Sequence, residues 1–406
     1  MSSIRFFHAA DLHLDSPFKG ISNLPHKLHQ TLRNSTFDAY TRLIDLALEH
    51  KPDFLLIVGD IYDGEERSLK AQAHFLRGME KLEQAGIPVF ISHGNHDHLS
   101  GKWTRFQLPA NVHVFGNETS SASLQVNGET VVIHGFSYPE RHVKKSRMTS
   151  YIPRENPKEI HIGMLHGSIA GDTSHDVYAP FTKEELLSKN YHYWALGHIH
   201  KRQILHRDPS IVYPGNSQSR HRNEQGEKGF YEVTIDTNGT ELAFHVTSQV
   251  VYERVEVKCP ELQHANDFYR FIEEVCDDTR TRVGTAIVDI RLTAVGETAK
   301  ELLESTPLDE WLESLREAEE MHDPTVFIRS IELEKPTQMN PSENSLAGIL
   351  LQTMAAWDDK EWKTVVKDVH QHARLSKYLE PLSMEEKEEV ANEATKIIIS
   401  HVASEE

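Results

Sequence analysis

Apolar and polar positions alternate along the first 250 residues in two rhythms. Ile4–Ala9 predicts a strand. Thr36–His50 carries Phe37, Leu43, Ile44, Leu46 and Leu48 at helical spacing. Phe54–Val58 is an unbroken apolar run after Pro52, the pattern of a strand buried on both faces. Ser68–Gln84 predicts a helix stopped by Gly86-Ile87-Pro88, and Val89–Ser92 the next strand. Ile162–Leu165 and Tyr193–Leu196 predict two short strands. Asn127-Gly128 and Asn238-Gly239 lie between alternating segments and predict hairpin turns. The sum is α/β with added antiparallel hairpins, a two-sheet β-sandwich flanked by helices.

The rhythm changes near residue 250. "YERVEVK" predicts a strand, then Ala265–Val275 a helix, Ala286–Leu292 a strand, Ala299–Glu319 a helix and Val326–Leu333 a strand. This is a small β-α-β-α-β module. "EKPTQMNPSEN" (334–344) is a polar, proline-containing linker. Two helical stretches follow, Asn344–Trp357 and Met384–Val402. The expected division is therefore 1–250, a small α/β capping domain at 251–335, and a linker with a C-terminal helical tail at 336–406. The first tail helix puts Leu346, Ile349, Leu350, Met354 and Trp357 roughly on one face. Such a face is either internal core or a docking surface for a partner.

The net charge of −19 argues against tight, purely electrostatic binding to nucleic acid. Its distribution softens that reading. Residues 251–406 hold 34 Asp and Glu against 17 Lys and Arg, leaving 28 acidic and 26 basic residues before them. A pair of divalent cations would make the first part locally positive. No run of eighteen apolar residues suggests a membrane span. The N-terminus reads directly as a strand rather than as a signal peptide, and two cysteines, Cys259 and Cys276, make no disulfide or thiolate framework. A cytoplasmic protein is expected.

Five stretches share one grammar, an apolar strand followed by metal-type ligands. They are "AADLH" (Asp11, His13), "IVGDIYD" (Asp60, Asp63), "SHGNHD" (Asn95, His96, Asp97), "MLHG" (His166) and "LGHIH" (His198, His200). Strand ends are where open α/β sheets bind ligands. Residues two apart in extended chain point the same way, so Asp11 with His13, and His198 with His200, can each aim two donors into one site. Carboxylate, imidazole and amide without thiolate suit manganese, iron or zinc. So many donors exceed one ion's needs and suit two divalent cations sharing a carboxylate, a centre that activates water and neutralises charge on a phosphoryl group.

The order D-x-H, G-D-x-x-D, G-N-H-D, H-G, G-H-x-H is similar to that of the calcineurin-like metallophosphoesterases, from Asp11 through His200. "HAADLHLDSPF" and "GDIYD" resemble the bacterial DNA-repair nuclease branch, SbcD-like and closest to the YhaO group. The resemblance implies that Asp11, His13, Asp60 and His200 hold one metal, and Asp60, Asn95, His166 and His198 the other, with Asp60 bridging. It implies Mn²⁺ first among the metals. It puts His96 over the scissile phosphate as general acid or transition-state stabiliser, with Asp97 orienting it. Asp63 replaces a histidine that archaeal and eukaryotic nucleases place near substrate. "VYPGNSQSR" (212–220) resembles a family turn, and Arg220, His221 and Arg222 after it are candidates to touch phosphate. The implied activity is two-metal phosphodiester hydrolysis on DNA, exonuclease or endonuclease. The implied partners are DNA, an SbcC-type coiled-coil ATPase tethered by the tail, and a second copy of the chain.

Two rivals stay open: hydrolysis of a small phosphodiester or phosphoprotein by the same site, and a non-catalytic adaptor that binds DNA ends or recruits an ATPase. The first makes no use of the module after 250, and the second none of His96. Other histidines have plainer readings. His8 and His134 are expected in the core or a hairpin, and His98, His161, His192 and His372 at the surface. His93 stays open, and Asp15 caps a loop.

Overall fold

A computed structural model describes residues 3–16, 18, 24–64, 67–101, 106–171 and 178–334; after these it describes 349, 352–354, 356–367 and a few positions between 382 and 394. The chain clusters into two compact units, Met1–Ala170 with Tyr178–Glu334, and Gly171–Val177 with Lys335–Glu406.

In the first unit β1 (Ile4–Ala10), β2 (Phe54–Val58), β3 (Val89–Ser92) and β4 (Val112–Val114) run parallel. The hairpin of β11 (Gly229–Asp236) and β12 (Gly239–Val246) completes a six-stranded sheet in the order β12-β11-β1-β2-β3-β4. A second six-stranded sheet has the order β5-β6-β7-β8-β10-β9. Its strands are β5 (Ser120–Val126), β6 (Glu129–Gly135), β7 (Glu159–His166), β8 (Tyr193–Gly197), β9 (Gln203–Arg207) and β10 (Ser210–Tyr213). Period-2 geometry explains the layers. Phe6, Ala10, Phe54, Leu56 and Val58 join Ile133, Ile162, Met164, Tyr193 and Val212 in a core shared by the two sheets. Phe7, Ala9, Leu55 and Ile57 face the other way, against α1 (His26–His50) and α2 (Leu69–Gln84). The expected helix-flanked sandwich is the architecture observed.

The third sheet is three parallel strands in order: β13 (Val251–Lys258), β14 (Ala286–Thr293) and β15 (Val326–Leu333). Between α3 (Lys183–Leu187) and the tail, α4 (Ala265–Val283), α5 (Glu297–Glu304) and α6 (Leu308–Glu319) supply its helical cover. Three expectations change here, the first being that the helix expected over Ala265–Val275 runs on to Val283. The stretch Ala299–Glu319 is not one helix but two, because Pro307 cannot continue α5 and instead caps α6. The helix expected over Thr36–His50 starts ten residues earlier, at His26. Leu28 and Leu32, one turn apart, bury against Val250, Tyr252, Ile287 and Phe327, so packing on the third sheet holds this polar turn helical.

The Asn127-Gly128 hairpin forms as expected, with both residues at positive φ. The second turn sits one residue earlier than expected: Thr237 and Asn238 form it, and Gly239 opens β12. The tail helix Asn344–Trp357 and its apolar face lie partly outside the described residues, as do most of Met384–Val402, the 334–344 linker and His372. A short α7 (Asp359–Val365) is present, with a capping box at Asp358. Among the described residues no helix is long and apolar enough to cross a membrane.

His8 is the polar member of the shared core. Its Nδ1 accepts from Tyr193 Oη at 2.9 Å and its Nε2–H donates to Leu196 O at 3.1 Å, tying β1 to β8. Burial holds its pKa down, to about 3, against the raising effect of the Leu196 bond. The folded value lies below the unfolded one near 6.5, so between these values the unfolded chain binds a proton the folded chain refuses. Stability from this group is complete above about pH 6.5 and falls as pH drops toward 3. His8→Gln removes the proton uptake. The slope of unfolding free energy against pH, from urea melts across pH 4–6.5, should be shallower in the variant by up to about 1.4 kcal/mol per pH unit. Equal slopes would show that the ring is not buried as a neutral base.

Candidate metal centre

The carboxyl ends of β1, β2 and β3 in one sheet meet those of β7 and β8 in the other. Each delivers its motif. Asp11 and His13 follow β1, Asp60 and Asp63 follow β2, Asn95 and His96 follow β3, His166 ends β7, and His198 and His200 follow β8. The loops after β1 and β2 run side by side, with Asp11 N–H donating to Gly59 O and His13 N–H to Asp60 O.

The donors converge. His13 Nε2 lies 3.1 Å from His200 Nε2, and His166 Nε2 lies 3.0 Å from Asn95 Oδ1 and 3.3 Å from Asp60 Oδ2. Asp11 Oδ1 is 3.9 Å from both His166 Nδ1 and His200 Nε2, and Asp60 Oδ2 is 3.8 Å from His13 Nε2. Three overlapping groups result, Asp11–His13–His200, Asp11–Asp60–His166 and His13–Asp63–His96. His198 packs its ring against His166, centroids 5.3 Å apart, while its backbone N–H donates to both Asp11 carboxylate oxygens.

The residues fit a divalent centre. Asp11 and Asp60 are each 1 % exposed, and the ion-pair partners found for them are histidines. Burial raises the Asp11 pKa to about 6, offset in part by His166 and His200. Burial also pushes Asp60 upward, but the charges on His166 and His96 outweigh it and hold Asp60 well below the usual carboxylate range. His166 responds in the opposite sense. Burial lowers it, the Asp60 carboxylate overrides that, and its pKa rises to about 9. The carboxylates thus draw positive charge onto a buried imidazole, and a divalent cation answers the same demand.

The backbone is shaped for this site. Asp11 (φ 52°), His13 (42°), Asp60 (48°) and His198 (97°) occupy left-handed conformations that cost side-chain-bearing residues roughly 1–3 kcal/mol each. Gly94 permits close approach, since a Cβ there would strike Asp60 Oδ1 and His166 Nε2.

Asp97 departs from its expected place. Its carboxylate does not reach His96; Oδ1 accepts from Gly94 N–H (2.7 Å) and Oδ2 from Ile61 N–H (3.0 Å) and His93 Nδ1 (2.9 Å). Fully buried, it staples the loops after β2 and β3 and fixes His93. His96 is placed instead by its own backbone, whose N–H donates to Asp60 Oδ1 at 2.9 Å, and by Asp63, whose Oδ1 lies 3.5 Å from its Nδ1. Asp63 also faces His13 Nδ1 (3.3 Å), accepts from Ser16 Oγ (3.0 Å) and pairs with Arg220 Nη1 (3.2 Å). Arg222 is half-buried in the loop that follows.

Three surface expectations fail or weaken. His98 is 5 % exposed and bonded to Ser100, and His161 is 7 % exposed between His134 and Glu159. His192 is half-buried, with Arg154 on its Nε2. His8 and His134 are core residues, as expected.

Sequence reasoning missed Glu224. Its Oε1 accepts from His200 Nδ1 at 2.6 Å, and its Oε2 from Asn216 Nδ2 (2.8 Å) and Arg220 N–H (2.6 Å). His200 therefore carries a carboxylate behind its site-facing nitrogen. Tyr138 Oη similarly donates to His166 O at 2.7 Å. Neither residue lies in a strand-end motif, so spacing could not find them.

The model of the family described as calcineurin-like phosphoesterase matches residues 4–202. The chain is 35% identical over 403 residues to a Bacillus subtilis protein named "Uncharacterized metallophosphoesterase YhaO", with 98% of each chain covered. It is 26% identical to the DNA double-strand break repair protein Mre11 of Thermoplasma acidophilum, over 59% of this chain and 65% of that one. A dimetal phosphatase structure from Danio rerio is similar at 12% identity and a TM-score of 0.37, over 62% of this chain and 99% of that one. The chain belongs to the calcineurin-like phosphoesterase family.

Proposed function

We propose that the protein is a two-metal-dependent phosphodiesterase acting on DNA, of the SbcD-like repair-nuclease branch. The observation that carries the reading is the convergence of Asp11, His13, Asp60, Asn95, His166 and His200 at the ends of strands from two sheets. The DNA substrate is supported by the similarity to archaeal proteins named for double-strand break repair. The small α/β module after residue 250 is a further support, since a phosphoprotein phosphatase has no need of it.

The chain's residues divide the work. In the proposed assignment Asp11, His13, Asp60 and His200 hold one ion, and Asp60, Asn95, His166 and His198 the other, with Mn²⁺ the metal expected. When bound, such ions polarise a phosphoryl group and lower the pKa of water. His96, part-exposed at the edge of the cluster, faces substrate. Burial depresses its pKa below the usual imidazole value, more strongly than Asp60 raises it. A neutral imidazole there is suited to donate a hydrogen bond to a departing 3′ oxygen. Arg220 and Arg222 are proposed to contact phosphate, with Asp63 holding Arg220 in place. A partner ATPase of the SbcC type on the tail, and dimerisation, belong to the same proposal.

The test is hydrolysis of bis-p-nitrophenyl phosphate and of end-labelled duplex and single-stranded DNA, with Mn²⁺, Mg²⁺, Zn²⁺ or EDTA. Mn²⁺-dependent cleavage of both substrates is expected. Asp60→Asn and Gly94→Ala should abolish it, and His96→Ala should lower kcat by about 10²–10⁴-fold while metals still bind. Ester cleavage that never extends to DNA, with or without an ATPase, would move the assignment to a small phosphodiester. Undiminished activity in His96→Ala would remove that residue from the mechanism.

Glu224 gives a separate prediction. Glu224→Gln leaves His200 in place but removes the charge behind it. Calorimetric titration should show metal affinity weaker by about 10–100-fold. An unchanged affinity would mean that His200 is not a ligand or needs no such support.

A further inference from the structure

A second histidine–carboxylate cluster lies on the helix-covered face of the first sheet. His50 ends α1, Glu232 lies within β11 and His245 near the end of β12. Glu232 stands opposite Phe7 on β1 and Ala243 on β12, and His245 opposite Phe230, so Phe7, Phe230, Glu232 and His245 share one face. His50 Nδ1 and His245 Nε2 each lie 2.9 Å from Glu232 Oε2. The three donor atoms fall within 4.8 Å of one another.

We propose that His50, Glu232 and His245 form a binding site for one Zn²⁺-class divalent cation. Two imidazoles and one carboxylate oxygen are a donor set that Zn²⁺, Ni²⁺ and Cu²⁺ prefer and that Mg²⁺ and Ca²⁺ do not. Donors on a tetrahedral zinc ion stand roughly 3.3 Å apart, given bonds near 2.0–2.1 Å. The two imidazole–carboxylate separations of 2.9 Å need to open by only a few tenths of an ångström, and the imidazole–imidazole separation lies within 4.8 Å. As a ligand, each imidazole would present the lone pair of the nitrogen that now faces Glu232.

The surroundings prepare these groups. Phe230 stacks on His245 with centroids 5.2 Å apart, and Phe7 lies 5.9 Å from His50, giving the cluster an aromatic floor. Arg5 sits beside the other carboxylate oxygen, its Nε 3.6 Å from Glu232 Oε1, and also donates to His50 O and Lys51 O. Arg5 thus leaves Oε2 alone to face the imidazoles, which makes Glu232 a one-oxygen ligand. Its positive charge opposes any cation, so only one that gains strongly from imidazole nitrogen would be held. The histidine side chains are 28% and 21% exposed, so an ion can enter and keep a fourth position open to solvent. The ion would tie the C-terminal end of α1 to the edge hairpin. The site shares no residue with the candidate metal centre, and Arg5 and Phe7 precede the end of β1 where that centre begins.

The test uses the full chain, stripped of metal, dialysed against Zn²⁺ and analysed for bound zinc. Wild type should hold one ion more than His245→Ala and one more than Glu232→Gln. Equal zinc in all three folded proteins would overturn the proposal. A second measurement needs only wild type, in case a variant fails to fold. Diethylpyrocarbonate modification, mapped by mass spectrometry, should slow several-fold at His50 and His245 when Zn²⁺ is added, with exposed His29 unchanged as reference. Unaltered modification at His50 and His245 would also overturn it.

Discussion

Two buried carboxylates set the terms for this protein. Asp11 and Asp60 sit where the ends of two sheets meet, out of water and without a lysine or arginine among the ion-pair partners found for them. Burying such groups costs several kcal/mol each unless positive charge answers them. Histidines supply that charge, and His166 is driven basic in doing so. A buried cluster of carboxylates balanced by histidines is the opposite of a hydrophobic core. It persists because a large core on each side of it provides the stability.

That core acts on the site through geometry. Phe6, Phe54, Leu56, Ile162 and Tyr193 hold the two sheets face to face, and His8 adds two directed bonds between β1 and β8. Those bonds set the ends of the two strands side by side, so that His198 N–H reaches Asp11. The left-handed residues follow from this. A strand that must stop and immediately turn a ligand inward cannot keep extended dihedrals, and Asp11, His13, Asp60 and His198 all take up the strain. Gly94 and Asp97 do the rest from β3, one by lacking a side chain, the other by pinning backbone N–H groups of two loops.

The central strands and the donor list were legible in the sequence because both obey short-range rules. Phe54–Val58 and Val89–Ser92 are apolar runs bounded by turn residues, and the donors lie within a few residues of each strand end. What escaped was decided at a distance. The first turns of α1 are polar in sequence and become helical by packing Leu28 and Leu32 on the third sheet. Glu224 lies in a stretch that looks like exposed loop, yet it is buried behind His200. Asp97 has the right neighbour in sequence for His96 and a better one in space, His93. His98 and His161 look like surface residues by composition and are covered by loops and strands that no local pattern announces.

The two histidine–carboxylate clusters show why the same donors can be conspicuous or hidden. At the sheet ends, chain reversal brings ligands to the site in pairs, so motifs two or three residues long record it. On the outer face, His50, Glu232 and His245 come from a helix end and two strands, and only the pairing of Glu232 with Phe7 and of His245 with Phe230 unites them. Charge separates them as well. Arg5 stands against Glu232, so that cluster is partly neutralised by the chain itself, whereas Asp11 and Asp60 depend on histidine. A site that supplies its own counter-charge is stable empty and binds a cation as an addition. The sheet-end cluster relies instead on titratable groups for its counter-charge, a demand that a divalent cation would answer.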